Sequence, residues 1–260
     1  MQRLNGNSGN ISLMGGLNMM TNIHSDIESK IRVMIERAGY RIDELPTLEE
    51  AQEKEKNDEL EKIGLHIERI FGNEFSEIDW KMLNLGDDLE KCKNFSTDEN
   101  IFLLLRGGTG TAKTAIAKML MESYLKRLFW RGGYTRAVSQ VRYIRALEFF
   151  DTLKRENSEP GGAGDFIRFH ENFSFLVIDE VAASYGTEFE RIYFNQLIDD
   201  FYTRKNGKLR KMILISNAPD DRSLERYIGK PALSRIAHRG IIVNMKSDDW
   251  RKNHRQEKTI

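Results

Sequence analysis

A chain of 260 residues with 40% hydrophobic residues has room for one α/β domain and a smaller appendage, and enough apolar content to bury a core. Its 40 basic and 40 acidic residues cancel, but residues 41–100 hold 8 basic against 18 acidic and residues 101–260 hold 28 against 19, so an acidic front and a basic body point to two partners of opposite character, with nucleic acid the candidate for the second. A single cysteine, Cys92, excludes a disulfide framework and a cysteine-rich zinc site; no apolar stretch approaches the roughly 20 residues of a membrane span and the start lacks the form of a signal peptide, so a cytoplasmic setting is expected.

Residues 1–22 are rich in Asn, Gly and Met without a period, and 1–25 read as a mobile tail. Ile27, Ile31, Met34 and Ile35 have helical spacing, which Asp43 to Pro46 interrupts. From Thr47 to Ile70, Leu48, Ala51, Leu60, Ile63 and Ile67 stand among heavy charge, as on a helix with one solvated face, and Trp80, Leu83 and Leu85 follow in a more broken region. Residues 26–96 are therefore expected to form a small helical front domain.

Residues 101–114 read I-F-L-L-L-R-G-G-T-G-T-A-K-T. Ile101 to Leu105 suit a strand buried on both faces, and Ala112 to Leu128 carry apolar residues at helical spacing. The glycine-rich turn between them has the form that binds phosphates: backbone N–H groups of Gly107, Gly108, Thr109, Gly110, Thr111 and Ala112 cradle them, Lys113 neutralises charge, and the Thr114 hydroxyl ligates Mg²⁺. Ala112 stands where the pattern G-x-x-x-x-G-K-[ST] has its last glycine, and a Cβ at a left-handed position there costs on the order of a kcal/mol.

Ala137 to Ile144 reads as a second strand, Ala146 to Arg155 as a helix and Glu159 to Gly164 as an exposed loop. Phe175-Leu176-Val177-Ile178 is a buried-strand pattern that delivers Asp179 and Glu180 at its C-terminal end, where open parallel sheets place their ligand crevice. Asp179 is suited to hold Mg²⁺ and Glu180 to polarise an attacking water. Phe189 to Tyr202 reads as a helix with Ile192, Leu197, Ile198 and Phe201 inward, Lys205 to Lys211 as a basic turn, and Met212 to Ser216 and Ile241 to Met245 as strands. Asn217, at the end of the fourth strand, reaches the same sheet edge as Asp179 and can hydrogen-bond the water or the γ-phosphate. Strands alternating with helices imply a five-stranded parallel sheet covered on both sides.

Residues 229–239, G-K-P-A-L-S-R-I-A-H-R, are similar to a box of AAA+ initiator-type ATPases whose arginine reaches a neighbouring subunit's ATP. The resemblance makes Arg235 the arginine finger, with Arg239 its nearest rival. Together with the phosphate loop, V-R-Y-I-R-A-L-E-F-F-D-T-L, F-L-V-I-D-E, F-N-Q-L-I-D-D-F-Y, I-S-N and V-N-M-K-S-D-D-W-R, residues 97–251 resemble the DnaC/DnaI/IstB family of AAA+ proteins. Its helicase-loader branch is the nearest in these motifs. The A-K-[ST] ending is shared with minichromosome-maintenance helicases and MoxR-type ATPases, which hydrolyse ATP, so the resemblance implies that Ala112 is tolerated.

The same resemblance implies an α/β AAA+ domain over 97–251 without a C-terminal lid, followed by a tail at 252–260. ATP and Mg²⁺ would bind at subunit interfaces of a spiral or ring. Residues 26–96 would grip a hexameric replicative helicase of the DnaB type, although the lone cysteine excludes the zinc-bearing front domain of DnaI. Single-stranded DNA would lie along Arg131, Arg136, Tyr143 and Arg145, where cations alternate with stacking rings. An IstB-like transposition helper on duplex DNA, and a nucleotide-switched DNA-binding module without turnover, are the alternatives.

Overall fold

The computed structural model describes residues 30–34, 37–38, 41, 47–75, 78–83, 85–159, 162–183, 185–203 and 210–245. The expected tails at 1–25 and 252–260, and the expectation of no lid after the last strand, fall outside them. The chain divides into two compact units, 1–57 and 58–260. In the first, residues 30–34 are helical, with Ile31 and Met34 exposed.

The second unit is built on a parallel sheet. Its strands are β1 (Phe102–Gly107), β2 (Val141–Arg145), β3 (Phe175–Asp179), β4 (Lys211–Ser216) and β5 (Gly240–Met245), in the spatial order β2-β3-β4-β1-β5. Phe102 pairs with Met212 on one side and Gly240 on the other, and Phe175 pairs with Val141 and Lys211. The alternation of a strand divides the core into two layers. Leu103, Leu105, Phe175, Val177, Ile213 and Ile215 face one way, while Phe102, Leu104, Leu176, Ile178, Met212 and Leu214 face the other.

On the first face lie α1 (Leu48–Phe71) through its last turns, α2 (Asp88–Asn94) and α3 (Lys113–Val138). Ile63, Ile67, Phe71, Cys92 and Phe95 are buried there with Leu120, Met121 and Leu125. Residues 58–96, expected with the front domain, thus share a core with the sheet. On the second face lie α4 (Ala146–Glu156), α5 (Gly162–Glu171), α6 (Glu188–Tyr202), α7 (Asp221–Ile228) and α8 (Lys230–His238). None of the described helices is long and apolar enough to cross a membrane.

Four sequence expectations need correction. The strand expected from Ala137 begins at Val141, because α3 continues to Val138 past a break at Gly132 and Gly133. The stretch read as a loop to Gly164 is helical from Gly162. Ile192 points outward: the buried stripe of α6 is Phe194, Leu197, Ile198 and Phe201, and at 100° per residue a side chain two positions before Phe194 lies on the opposite flank. Lys211 begins β4 rather than ending a turn; it is fully buried, with its ammonium donating to the Asp98 carboxylate at 2.8 Å and to the Asn100 carbonyl at 2.6 Å. Arg210, also expected in that turn, is buried and donates to the Glu171 carbonyl at 2.8 Å, and residues 205–209 lie outside the described residues.

Candidate nucleotide site

The loop between β1 and α3 starts where Gly107, at φ 155°, runs against β5; a Cβ there would sit 2.4 Å from the Met245 carbonyl oxygen, so only glycine allows the approach. Arg106 anchors the same strand end, its Nε donating to Asn244 Oδ1 at 2.8 Å while its guanidinium pairs with Asp221. Ala112 closes the loop at φ 61° and ψ 18°, in the left-handed region, directly before Lys113 opens α3. The Lys113 ammonium lies inside the loop and donates to the carbonyls of Gly107 (2.8 Å) and Gly108 (2.6 Å) and to Thr111 Oγ1 (3.1 Å).

β3 brings Asp179 to this loop, 65 residues away along the chain. Its Oδ2 accepts from the Thr114 hydroxyl at 3.0 Å, and its Oδ1 accepts from the Glu180 backbone N–H at 2.6 Å. Asp179 is nearly completely buried, whereas Glu180 turns outward at φ 57°, a second left-handed non-glycine position beside the loop. Backbone strain of this kind collects at ligand sites.

A cavity of about 140 Å³ is lined by Thr109, Gly110, Thr111, Ala112, Lys113, Thr114, Asp179, Glu180 and Asn217, with Phe75 and Ile215 as its apolar wall. The sequence-derived phosphate loop, both acidic residues and Asn217 therefore meet in one place. A hydroxyl and a carboxylate facing each other at 3.0 Å suit a hard divalent cation. Among the described residues no cluster of three or more His, Cys, Asp or Glu could hold a metal by itself. The Thr114 and Asp179 oxygens would suit Mg²⁺ if phosphate oxygens supplied further ligands.

Two contributors went unnoticed in the sequence. Phe75 sits in a short 3₁₀ turn, Asn73–Phe75, with no motif around it. Tyr143 was expected to contact DNA, but its hydroxyl donates to Asp179 Oδ2 at 3.0 Å and its ring packs on Phe71 with centroids 4.6 Å apart. Burial, then the charge of Asp179, raises the Tyr143 pKa, so the hydroxyl keeps its proton and acts as a donor.

The other expected DNA contacts are dispersed. Arg131 and Arg136 are exposed on either side of the Gly132–Gly133 break, and Arg145 is exposed at the end of β2, lining with Glu180 a separate cavity of about 700 Å³. Arg235 does not line the 140 Å³ cavity of its own chain. It is held on α8 by Asp199 of α6, Nε to Oδ1 2.8 Å, and is about one third exposed. Arg239 donates to the Tyr202 carbonyl at 3.2 Å. Arg226, to which the sequence reading assigned no role, lines a third cavity together with Glu180 and Asn217.

A parallel sheet with a glycine-rich loop feeding a helix after β1, and an acidic pair at the end of β3 with β4 between the two strands, defines a P-loop nucleotide-binding protein. Within that class the chain belongs to the IstB-like ATP binding proteins of the AAA+ group, whose family model matches residues 65–258. No curated protein sequence matches it. Among solved structures, a DNA replication initiation factor is 21% identical with a TM-score of 0.51, covering 70% of this chain and 54% of its own. The present chain therefore spans about half of that protein's length. The DnaC helicase loader is 16% identical with a TM-score of 0.51, covering 67% of this chain and 99% of its own. At these identities the likeness establishes the fold.

Proposed function

We propose that this protein is an ATPase that loads a hexameric replicative helicase onto single-stranded DNA. The observation that carries the reading is the single cavity in which the loop 109–114, Asp179, Glu180 and Asn217 converge. ATP is the substrate. Loop N–H groups and the Lys113 ammonium, held by its own loop carbonyls and ready to exchange them for phosphate oxygens, bind the triphosphate. Thr114 and Asp179 would hold Mg²⁺, which when bound neutralises charge on the outer phosphates. Glu180 accepts a proton from the attacking water, and Asn217 orients that water against the γ-phosphate.

Arg235 is the arginine finger, directed to the site of a neighbouring copy in a spiral or ring; its absence from its own cavity supports action in trans. Release from Asp199 is then part of assembly, at modest cost because the pair is partly exposed. The front region, 26–96, engages the helicase through faces not committed to the core, and Arg131, Arg136 and Arg145 supply cations for the DNA backbone. A second reading, a transposition helper acting on duplex DNA, is favoured by the IstB-like family match.

Hydrolysis by the wild type and by Lys113→Ala, Glu180→Gln and Arg235→Ala, with and without DNA, tests the proposal. The loader reading expects turnover raised by single-stranded DNA and lost in all three variants, by 10²-fold or more for the arginine, at the cautious end of what such residues contribute. Stimulation by duplex DNA instead moves the transposition reading ahead, and absence of turnover under every condition leaves a nucleotide-switched binding module.

A further inference from the structure

Asp179 Oδ2 accepts two hydroxyl protons, from Thr114 and from Tyr143, each at 3.0 Å. These two donors have different duties. Thr114 would also offer an oxygen lone pair to the cation while keeping its proton for Oδ2, whereas Tyr143 serves the carboxylate alone. The tyrosine is poorly placed to leave. It comes from β2, whose Tyr143 pairs with Val177 of β3 two residues before Asp179, and its ring is pressed against Phe71 at the end of α1. Oδ1 is meanwhile tied to the Glu180 N–H at 2.6 Å. The carboxylate is thus held at both oxygens, and Tyr143 is the one of its three donors outside the lining of the phosphate cavity.

We infer that Tyr143 is a positioning residue for the cation site, orienting the Asp179 carboxylate through its hydroxyl, rather than a contact for DNA. The inference rests on the nucleotide-site reading above and concerns only how this chain prepares Asp179. Hydrogen bonds to a ligating carboxylate fix its orientation, and loss of such an outer partner typically costs 10–100-fold in metal affinity. Tyr143→Phe keeps the ring, and with it the contact to Phe71, while deleting the donor.

The experiment measures binding of a fluorescent, non-hydrolysable ATP analogue to the full chain, first in EDTA and then across a titration of free Mg²⁺, for wild type, Tyr143→Phe and Asp179→Asn. Affinity in EDTA should agree within about twofold between wild type and Tyr143→Phe, whereas a purely structural role would lower the thermal midpoint without nucleotide and leave the Mg²⁺ dependence untouched. The free Mg²⁺ giving half of the Mg²⁺-dependent tightening should rise about tenfold or more in Tyr143→Phe and further in Asp179→Asn. Single-stranded DNA binding without nucleotide should be unchanged. An unaltered Mg²⁺ midpoint overturns the inference, and lost DNA binding with an unaltered midpoint restores Tyr143 as a DNA contact. A wild type that ignores Mg²⁺, or binds no nucleotide, instead removes the site reading beneath both.

Discussion

Ala112 occupies a backbone conformation, φ 61° and ψ 18°, in which a Cβ costs roughly 1–2 kcal/mol and where the phosphate-loop pattern has glycine. Part of that cost is offset because its methyl packs against the core layer that α3 buries. Ala112→Gly removes the strain but adds unfolded-chain freedom worth about 0.4–1 kcal/mol. Urea unfolding should therefore show a stability gain between zero and about 1 kcal/mol, with nucleotide affinity retained. A net loss of stability would mean that methyl packing outweighs strain at this position. Lys113, Thr114, Asp179 and Glu180 were legible in the sequence because glycine spacing and an apolar run ending in two carboxylates are local patterns. Tyr143 was not, since its partner lies 36 residues away and a half-buried aromatic on a strand reads equally as core or as a stacking platform. Phe75 stands in a 3₁₀ turn whose only signal is its position in space.

The elements follow the sequence where hydrophobic period decides them and depart from it where a break is hidden inside a helix. All five strands were found near their observed bounds, with β2 displaced because A-V-S-Q before it closes α3 instead of opening a strand. Gly132 (φ −175°, ψ 17°) and Gly133 (φ 76°, ψ 173°) interrupt α3, and the second of these angle pairs belongs to a region that only glycine occupies freely. Gly133→Ala should cost about 1–3 kcal/mol in unfolding free energy, measured against a neutral exposed substitution on the same helix. An unchanged stability would show that the break straightens readily in solution. In α6 the mistaken inward Ile192 has a matching surprise: Glu190 takes the buried stripe, closing a capping box with Thr187 and pairing with Lys154 at 2.7 Å. Hydrophobicity alone cannot reveal a buried carboxylate whose partners lie on its own cap and on α4.

For the molecule as a whole, composition sets an acidic stretch, 41–100, against a basic one, 101–260, and neither bound coincides with the division between the compact units at 57 and 58. The acidic residues of α1 and α2 are exposed or half-buried, while Ile63, Ile67, Phe71, Cys92 and Phe95 of the same stretch are buried with the sheet layer. Cys92 reports on that packing: burial, with the nearby Asp88 charge, pushes its thiol up to about 12. At pH 8 the native protein should resist an aromatic disulfide reagent, and reactivity should appear with the same denaturant midpoint as loss of the far-ultraviolet signal. Earlier reaction would show that residues 78–96 open separately from the sheet. Whether Lys113 of one copy and Arg235 of the next complete one ATPase site can be read out by mixing two inactive variants. Lys113→Ala supplies the arginine and Arg235→Ala supplies the phosphate loop, so random equimolar assembly makes roughly a quarter of the interfaces intact. If the site is shared, ATP hydrolysis, absent from either variant alone, returns on mixing toward that fraction of the wild-type rate; hydrolysis that stays absent in the mixture, or an Arg235→Ala protein as active as the wild type, rules out a shared site.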